Sequence, residues 1–147
     1  MKMVDDLKKG HLEILQTIDG LSADDLKKGD TIGKWSARDV LLHLAMWDGE
    51  ALKALSVWRT GHEYDWAYAE DYLKFNEFWV ATLKDLEVNQ VAQMFNLIRN
   101  ALICDADSVP DDVYQKRGEP LWMYDVVINH TFHHAEKLRA YRKTLGK

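Results

Sequence analysis

Apolar residues recur every three or four positions along four long stretches of the chain, which is the spacing of one face of an α-helix. The first stretch predicts a helix over about residues 2–19, followed by Gly20 as a C-terminal cap. The second begins at Ser36, where Ser36-Ala37-Arg38-Asp39 has the pattern of a capping box, and extends to about Thr60. A similar pattern over Ser22–Asp25 predicts a short helical turn between the first and the second of these helices.

The third stretch runs from about Trp66 to Ile103 with little interruption. It predicts one long helix, straight or kinked near Glu87–Asn89. The fourth begins near Met123, and its apolar stripe includes histidines at steps of four and three. Pro110 and Pro120 both lie between the third and fourth stretches, in the one region without helical periodicity, so we expect a loop there.

Four helices with one apolar face each, and no strand pattern, predict an all-α fold. The simplest architecture for such a chain is a four-helix bundle, whose core is the usual place for metal and cofactor sites. No linker or low-complexity tract divides the 147 residues, so residues 1–147 are expected to form a single domain.

Composition and charge exclude several kinds of partner. The net charge of −5 argues against nucleic acid, because binding to phosphates depends on clustered Lys and Arg. No segment has the length and apolar character of a membrane span or of a signal peptide, so we expect a cytoplasmic protein without a membrane partner. Cys104 is the only cysteine, so any metal must be held by histidines and carboxylates. The six Trp and six Tyr favour association with another protein surface.

Three of the six histidines, His130, His133 and His134, lie within five positions of the fourth stretch. At about 100° per residue, His134 is about 40° around the helix from His130, and His133 is about 60° the other way. Only His134 follows the apolar stripe, so His130 and His134 are the inward pair. His43 lies on the inward face of the second helix. Three imidazoles from two helices suit Zn, Ni or Fe and leave coordination positions for water or substrate.

Other roles for histidines compete with metal binding, because histidine pairs on helices are more often exposed or hydrogen-bonded in a core. His11 also lies on an apolar stripe, and we expect it to be a hydrogen-bonded core residue or part of a pocket wall. His62 is expected in a loop. His133, Glu136 and Tyr72 are the candidates for orienting the ligands or transferring a proton. No Glu-x-x-His pair for a di-iron site and no Gly-x-Ser-x-Gly elbow occurs.

Three short motifs occur in order along nearly the whole chain: Trp35-Ser36-x-x-Asp39-Val40-Leu41-x-His43-Leu44, Phe75-Asn76, and Asn129-His130-x-x-His133-His134. Together they resemble the DinB/YfiT-like superfamily. The resemblance implies a four-helix bundle of the DinB type, often a homodimer, with a divalent metal such as Zn or Ni held by His43, His130 and His134. Members of that superfamily include thiol S-transferases, maleylpyruvate isomerases and metal-dependent hydrolases.

The chain departs from that pattern at Ala135-Glu136-Lys137, where DinB-like proteins commonly have Arg-Gly-Gln, and this weighs against a thiol transferase. Trp47 and Phe75-Asn76 also resemble the ClbS/DfsB branch, some of whose members open electrophilic cyclopropane toxins without an evident metal. The expected function is that of a metal-dependent hydrolase or thiol S-transferase, in which a metal-activated water or thiol attacks a small electrophilic substrate and a low-molecular-weight thiol is an optional cofactor. The alternatives are a metal-independent ClbS/DfsB-like toxin-resistance protein and a non-catalytic, dimeric stress-response or binding protein.

Overall fold

The computed structural model describes all residues from Met1 to Lys147 and confirms the all-α prediction. The helices are α1 (Lys2–Ile18), α2 (Ala23–Lys27), α3 (Ala37–Trp58), α4 (Tyr72–Thr82), α5 (Val88–Ser108), α6 (Asp111–Arg117), α7 (Leu121–Met123) and α8 (Asn129–Thr144). A 3₁₀ turn (Ala67–Ala69) precedes α4, and a π-helical turn (Tyr124–Ile128) joins α7 to α8. None of the helices combines the length and the apolar character that crossing a lipid bilayer requires.

Both predicted capping boxes form. The Ser36 hydroxyl accepts a hydrogen bond from the Asp39 amide at 3.1 Å, and the Asp39 carboxylate accepts one from the Ser36 amide at 3.1 Å. Ser22 and Asp25 exchange the same two bonds at the start of α2. These bonds satisfy amides that the first helical turn leaves free, so α2 and α3 begin close to where the sequence predicts. Gly20 follows α1 with a φ of +75°, as expected for a residue that ends a helix.

The prediction of one helix from Trp66 to Ile103 is wrong, although the interruption lies beside the kink allowed near Glu87–Asn89. The chain leaves the helical path after Thr82, and α5 starts only at Val88. Arg38 of α3 lies beneath the break and donates hydrogen bonds to the Leu86 carbonyl at 3.0 and 2.9 Å and to the Leu83 carbonyl at 2.5 Å. A continuous helix would use these carbonyls internally, whereas here a buried guanidinium on another helix binds them. The break is therefore a tertiary effect.

The region with the two prolines is helical in part, contrary to the prediction of a loop. Pro110 and Pro120 stand directly before α6 and α7, where a residue without an N–H group costs the helix no hydrogen bond. Asp111 and Asp112 occupy the first turn of α6, where their negative charge suits the helix dipole. The two helices are short, so the apolar periodicity that identifies long helices is absent.

The four longest helices pack together, α3 against α5 and α8, and α1 against α5 and α8, while α4 packs mainly on α3. The apolar core forms two clusters that occupy opposite ends of each long helix. The first cluster includes Leu7, Leu55, Leu102 and Val127, and the second includes Ile14, Leu41, Phe95 and Leu138. Residues of the second cluster come first along both α3 and α5, so these two helices run in the same direction. Residues 59–87, which include α4, carry the chain back between them.

Candidate metal centre

Three histidines from two helices meet beside the core. His43 lies on α3, and His130 and His134 lie one turn apart on α8. The Nε2 atom of His130 is 2.6 Å from Nε2 of His43 and 3.0 Å from Nε2 of His134. One ligand atom from each of the three side chains lies within 4.8 Å of the other two. The sequence pattern selects the same three residues, and the structure brings them together.

The donor set fits a transition metal ion. Two nitrogens bound to one tetrahedral Zn²⁺ stand about 3.4 Å apart, given Zn–N bonds of about 2.0–2.1 Å. The separation from His130 Nε2 is about 0.8 Å shorter to His43 and about 0.4 Å shorter to His134, so the rings would have to rotate apart by these amounts to accommodate an ion. Three neutral nitrogens without a carboxylate suit Zn or Ni and leave positions for a further ligand.

Ring packing and the Nε2 contacts with His130 orient the rings of His43 and His134, whereas their Nδ1 atoms contribute no hydrogen bond. The His43 ring lies against Trp35, with ring centroids 4.7 Å apart. Nδ1 of His43 and Nδ1 of His134 are buried and have no hydrogen-bond partner. Metal-bound histidines usually donate their second nitrogen to a carbonyl or carboxylate. For His130 such a partner is the Val126 backbone carbonyl, which accepts from the imidazole and acts to raise its pKa.

The electrostatic environment keeps all three imidazoles neutral. Burial, followed by the charges of the other two histidines, lowers the pKa of His43 to about 2. Burial is also the main cause that lowers the pKa of His130 to about 4 and that of His134 to about 3. The neutral imidazole is the form that binds metal, so no proton needs to leave at neutral pH before an ion can bind.

A pocket of about 470 Å³ opens onto the histidines, a volume that suits a small organic molecule. It lies between α3, α4 and α8, with part of the loop before α3. Besides the three histidines, its walls contain Trp35, Trp47, Tyr72, Asn76, Asp125, Val126, His133 and Lys137. Trp47 Nε1 donates a hydrogen bond to the Asn76 side-chain oxygen at 2.7 Å, which fixes α4 against α3 at one wall.

The pocket contains one charged group of each sign beside the imidazoles. Lys137 of α8 and Asp125 of the π-helical turn both line it, and neither takes part in an ion pair within the chain. The positive charge of Lys137 contributes to lowering the pKa of His43, although less than burial does. The two free charges are therefore available to a ligand, while the aromatic walls supply apolar contact.

The other candidate residues differ in whether they line the pocket and in whether they are buried. His133 and Tyr72 line the pocket and are exposed to solvent. Glu136 is exposed and is not part of the pocket wall. His11 is buried and pairs with the Asn96 side-chain oxygen at 2.8 Å, in agreement with the expected hydrogen-bonded core residue. His62 lies exposed in the loop after α3, as expected.

Several residues near the site belong to none of the motifs in the sequence. Asp48 and Arg99 form a buried ion pair that the pattern of helices did not reveal. A signal was present, since Arg99 follows Phe95 by four positions and precedes Leu102 by three, which places a charge on the buried face of α5. Lys137 gives no comparable signal, because a lysine on a helix is normally a solvated residue.

No protein-family model matches this chain, and neither does any curated protein or solved structure. The fold and the pocket define an all-helical protein with a buried three-histidine cluster that could hold a metal ion. Its family and its activity are proposals that depend on the residues described above.

Proposed function

We propose that this chain is a metal-dependent enzyme in which His43, His130 and His134 hold a divalent transition metal, Zn or Ni. The observation that carries the proposal is the convergence of three neutral Nε2 atoms at the wall of a pocket sized for a small molecule. The packing of α1, α3, α5 and α8 supports the finer assignment of the fold, a four-helix bundle of the DinB/YfiT-like type. The proposed assembly is a homodimer.

The proposed reaction is attack of water or of a low-molecular-weight thiol on a small electrophile, as in a hydrolase or thiol S-transferase. A cation held by the three histidines supplies Lewis acidity and lowers the pKa of a coordinated water or thiol. Trp35 and Trp47 give the pocket apolar walls against which a substrate would pack. His133 and Tyr72 face the same space and are the groups placed to accept or donate a proton. Glu136 lies outside the wall, and the proposal gives it no proton-transfer role.

Metal content tests this proposal directly. Protein purified without a histidine tag should contain one Zn or Ni ion per chain, and added metal should raise the melting temperature of metal-free protein because only the folded state has the site. His43→Ala, His130→Ala and His134→Ala should each lose the ion. The exposed His62→Ala is the matched control and should keep it. Absence of bound transition metal, together with a melting temperature that metal does not change, would reject the proposal.

A second candidate is a metal-independent toxin-resistance protein of the ClbS/DfsB type. Two observations favour it: the partnerless Nδ1 atoms of His43 and His134, and the aromatic wall of the pocket, in which Trp47 is held by the buried Phe75 ring with centroids 4.4 Å apart. In this case the aromatic wall would bind an electrophilic natural product, and metal would be unnecessary. Cells that express His43→Ala should then resist such a toxin as well as cells that express the unchanged chain. Loss of resistance in this variant would favour the metal-dependent enzyme.

A further inference from the structure

Four buried polar residues, one from each long helix, lie between the two apolar clusters: His11 of α1, Asp48 of α3, Arg99 of α5 and Thr131 of α8. We refer to these four residues as the polar layer. The proposed chemistry uses none of them. On α8 the polar layer adjoins the histidines, because Thr131 directly follows His130.

Hydrogen bonds connect three of these residues across three helices. Arg99 donates from Nε and Nη2 to the two oxygens of Asp48 at 2.8 and 3.0 Å. Its Nη2 atom also donates to the Thr131 hydroxyl at 2.8 Å. The Thr131 hydroxyl in turn donates to the Val127 carbonyl at 2.7 Å. Arg99 is fully buried and Asp48 is 1% exposed, so water does not compete for these bonds.

The connection joins the two helices that carry the three histidines. Asp48 lies five residues after His43 on α3, which is about 7.5 Å along the helix axis. At the other end, Val127 belongs to the π-helical turn that sets the path and rotation of α8. The neighbouring Val126 backbone interacts with His130 itself. The rotation of His130 and His134 about α8 is therefore tied to α3 through Arg99.

Stability alone is a poor explanation for this arrangement. A buried ion pair commonly contributes less than well-packed apolar residues of the same volume would, because both charges lose their hydration. Here Nη1 of Arg99 also has no hydrogen-bond partner, which adds a further cost. The layer leaves little free space on its α1 side, where a Cβ on Gly10 would lie 3.0 Å from Cγ2 of Thr131. The best-attested role of a polar group in a core is to fix the alignment of neighbouring helices along and around their axes.

We infer that Arg99 and Thr131 are positioning residues for the metal centre: by connecting Asp48 to the π-helical turn, they fix α8 in the rotation and axial position at which His130 and His134 face His43. The inference rests on the proposed metal-dependent function. In this arrangement α5, which carries none of the three histidines, aligns α3 and α8, which carry them.

Thr131→Val tests the inference, because it removes the hydroxyl and preserves the shape of the side chain. Titration of metal-free protein with Co²⁺ alone gives both an affinity and a visible spectrum that reports ligand geometry. We expect about a tenfold or greater loss of Co²⁺ affinity, the scale on which partners of metal ligands act, together with a changed spectrum. Thr131→Ser keeps the hydroxyl and should restore both.

Thr17→Val is the matched control. Thr17 is a buried threonine of α1 whose hydroxyl donates to the Ile14 carbonyl at 2.6 Å and makes no bond to the polar layer. It should lose stability as Thr131→Val does while it keeps the affinity and spectrum of the unchanged chain. Arg99→Lys is a second variant in case Thr131→Val does not fold. A lysine ammonium cannot reproduce the two-pronged contact with Asp48 and still reach Thr131, so we expect the same loss of affinity.

The outcomes separate this inference from the proposed function. If the unchanged chain does not bind Co²⁺, the proposed metal site fails, and the inference fails with it. If the unchanged chain binds Co²⁺ and Thr131→Val and Arg99→Lys bind it equally well with the same spectrum, only the inference fails. Equal losses in Thr17→Val and Thr131→Val would also overturn it, because they would indicate general loosening of the core.

Discussion

At the scale of single residues, the pattern of the sequence was sufficient to select His43, His130 and His134. Each lies on an apolar stripe, and a stripe fixes which way a helical side chain points. The contacts around them were not predictable in the same way. Asn76 reaches Trp47 across two helices, and no spacing within one helix encodes that contact. Lys137 has no distinguishing sequence context, and only the fold places it in the wall of the pocket that contains the three histidines.

The lowered pKa values of the three histidines predict how stability depends on pH. In the unfolded chain each has an ordinary pKa of 6.5, whereas the folded values are about 2, 4 and 3 for His43, His130 and His134. Between about pH 6.5 and pH 4 the unfolded state therefore binds more protons, so the free energy of unfolding of metal-free protein should fall as the pH falls. At pH 5.5 the free energy of unfolding should be lower by about 1.4 kcal/mol for each histidine than at a pH well above 6.5, where the histidines are neutral in both states.

Urea unfolding of metal-free protein at several pH values measures this effect. A variant with Gln at all three positions should lose most of the pH dependence in this range, because its side chains at these positions no longer titrate. His62→Gln is the control, and it should follow the unchanged chain because His62 is exposed. The same pH dependence in the triple variant and in the unchanged chain would contradict the prediction.

At the scale of helices, local sequence determined where α1, α2 and α3 begin or end. Capping bonds involve residues three positions apart, so the sequence contains the whole signal. The apolar periodicity continues through the break between α4 and α5, so the sequence predicted at most a kink near Glu87–Asn89 and not the five non-helical residues 83–87. What ends the helix there is Arg38, 45 and 48 residues away from the two carbonyls that it binds. A contact over that separation exists only after the chain has folded.

Arg38→Met tests the role of that contact. Arg38 is buried, and its loss leaves the Leu83 and Leu86 carbonyls without their charged donor. We expect the free energy of unfolding to fall by about 2–3 kcal/mol, the size of a buried hydrogen bond to a charged group. Urea unfolding measures the change, and the metal content should stay the same because Arg38 does not line the pocket.

Arg139→Met is the comparison for Arg38→Met. Arg139 is about half exposed and makes only a surface ion pair with Glu13 at 3.5 Å. Its replacement should change the free energy of unfolding by less than about 1 kcal/mol. If Arg38→Met and Arg139→Met were equally stable, the break between α4 and α5 would not depend on the guanidinium.

At the scale of the whole molecule, α4 shows the limit of what an apolar stripe predicts. Tyr72, Phe75 and Trp79 repeat at helical spacing, which is the pattern of a face that packs on a core. Only Phe75 is buried, and Tyr72 is 59% exposed. A stripe shows that a helix has an apolar side, but it does not show whether the same chain covers that side. Since α4 packs mainly on α3, most of its surface is left uncovered by this chain.

The exposed apolar residues of α4 are the best candidate for the proposed homodimer contact. Tyr72, Leu73 and Phe78 are each more than half exposed and lie at different positions around α4, so a second copy that packs along this helix would cover part of this exposed apolar area. We expect the chain to be a dimer by size-exclusion chromatography with light scattering. Phe78→Glu should give a monomer, because a charge buried against apolar residues of a second copy has no partner there.

Leu97→Glu is the control for this prediction, since Leu97 is a similarly exposed apolar residue that lies on α5 instead of α4. It should remain a dimer. A monomeric unchanged chain would exclude the homodimer, and a monomer formed only by Leu97→Glu would move the contact to α5.

Because Tyr72 belongs both to the α4 surface and to the pocket wall, a dimer through α4 would also bring the second copy close to the pocket. Phe78→Glu should therefore change the affinity of pocket ligands even though Phe78 does not line the pocket, whereas Leu97→Glu should leave that affinity unchanged.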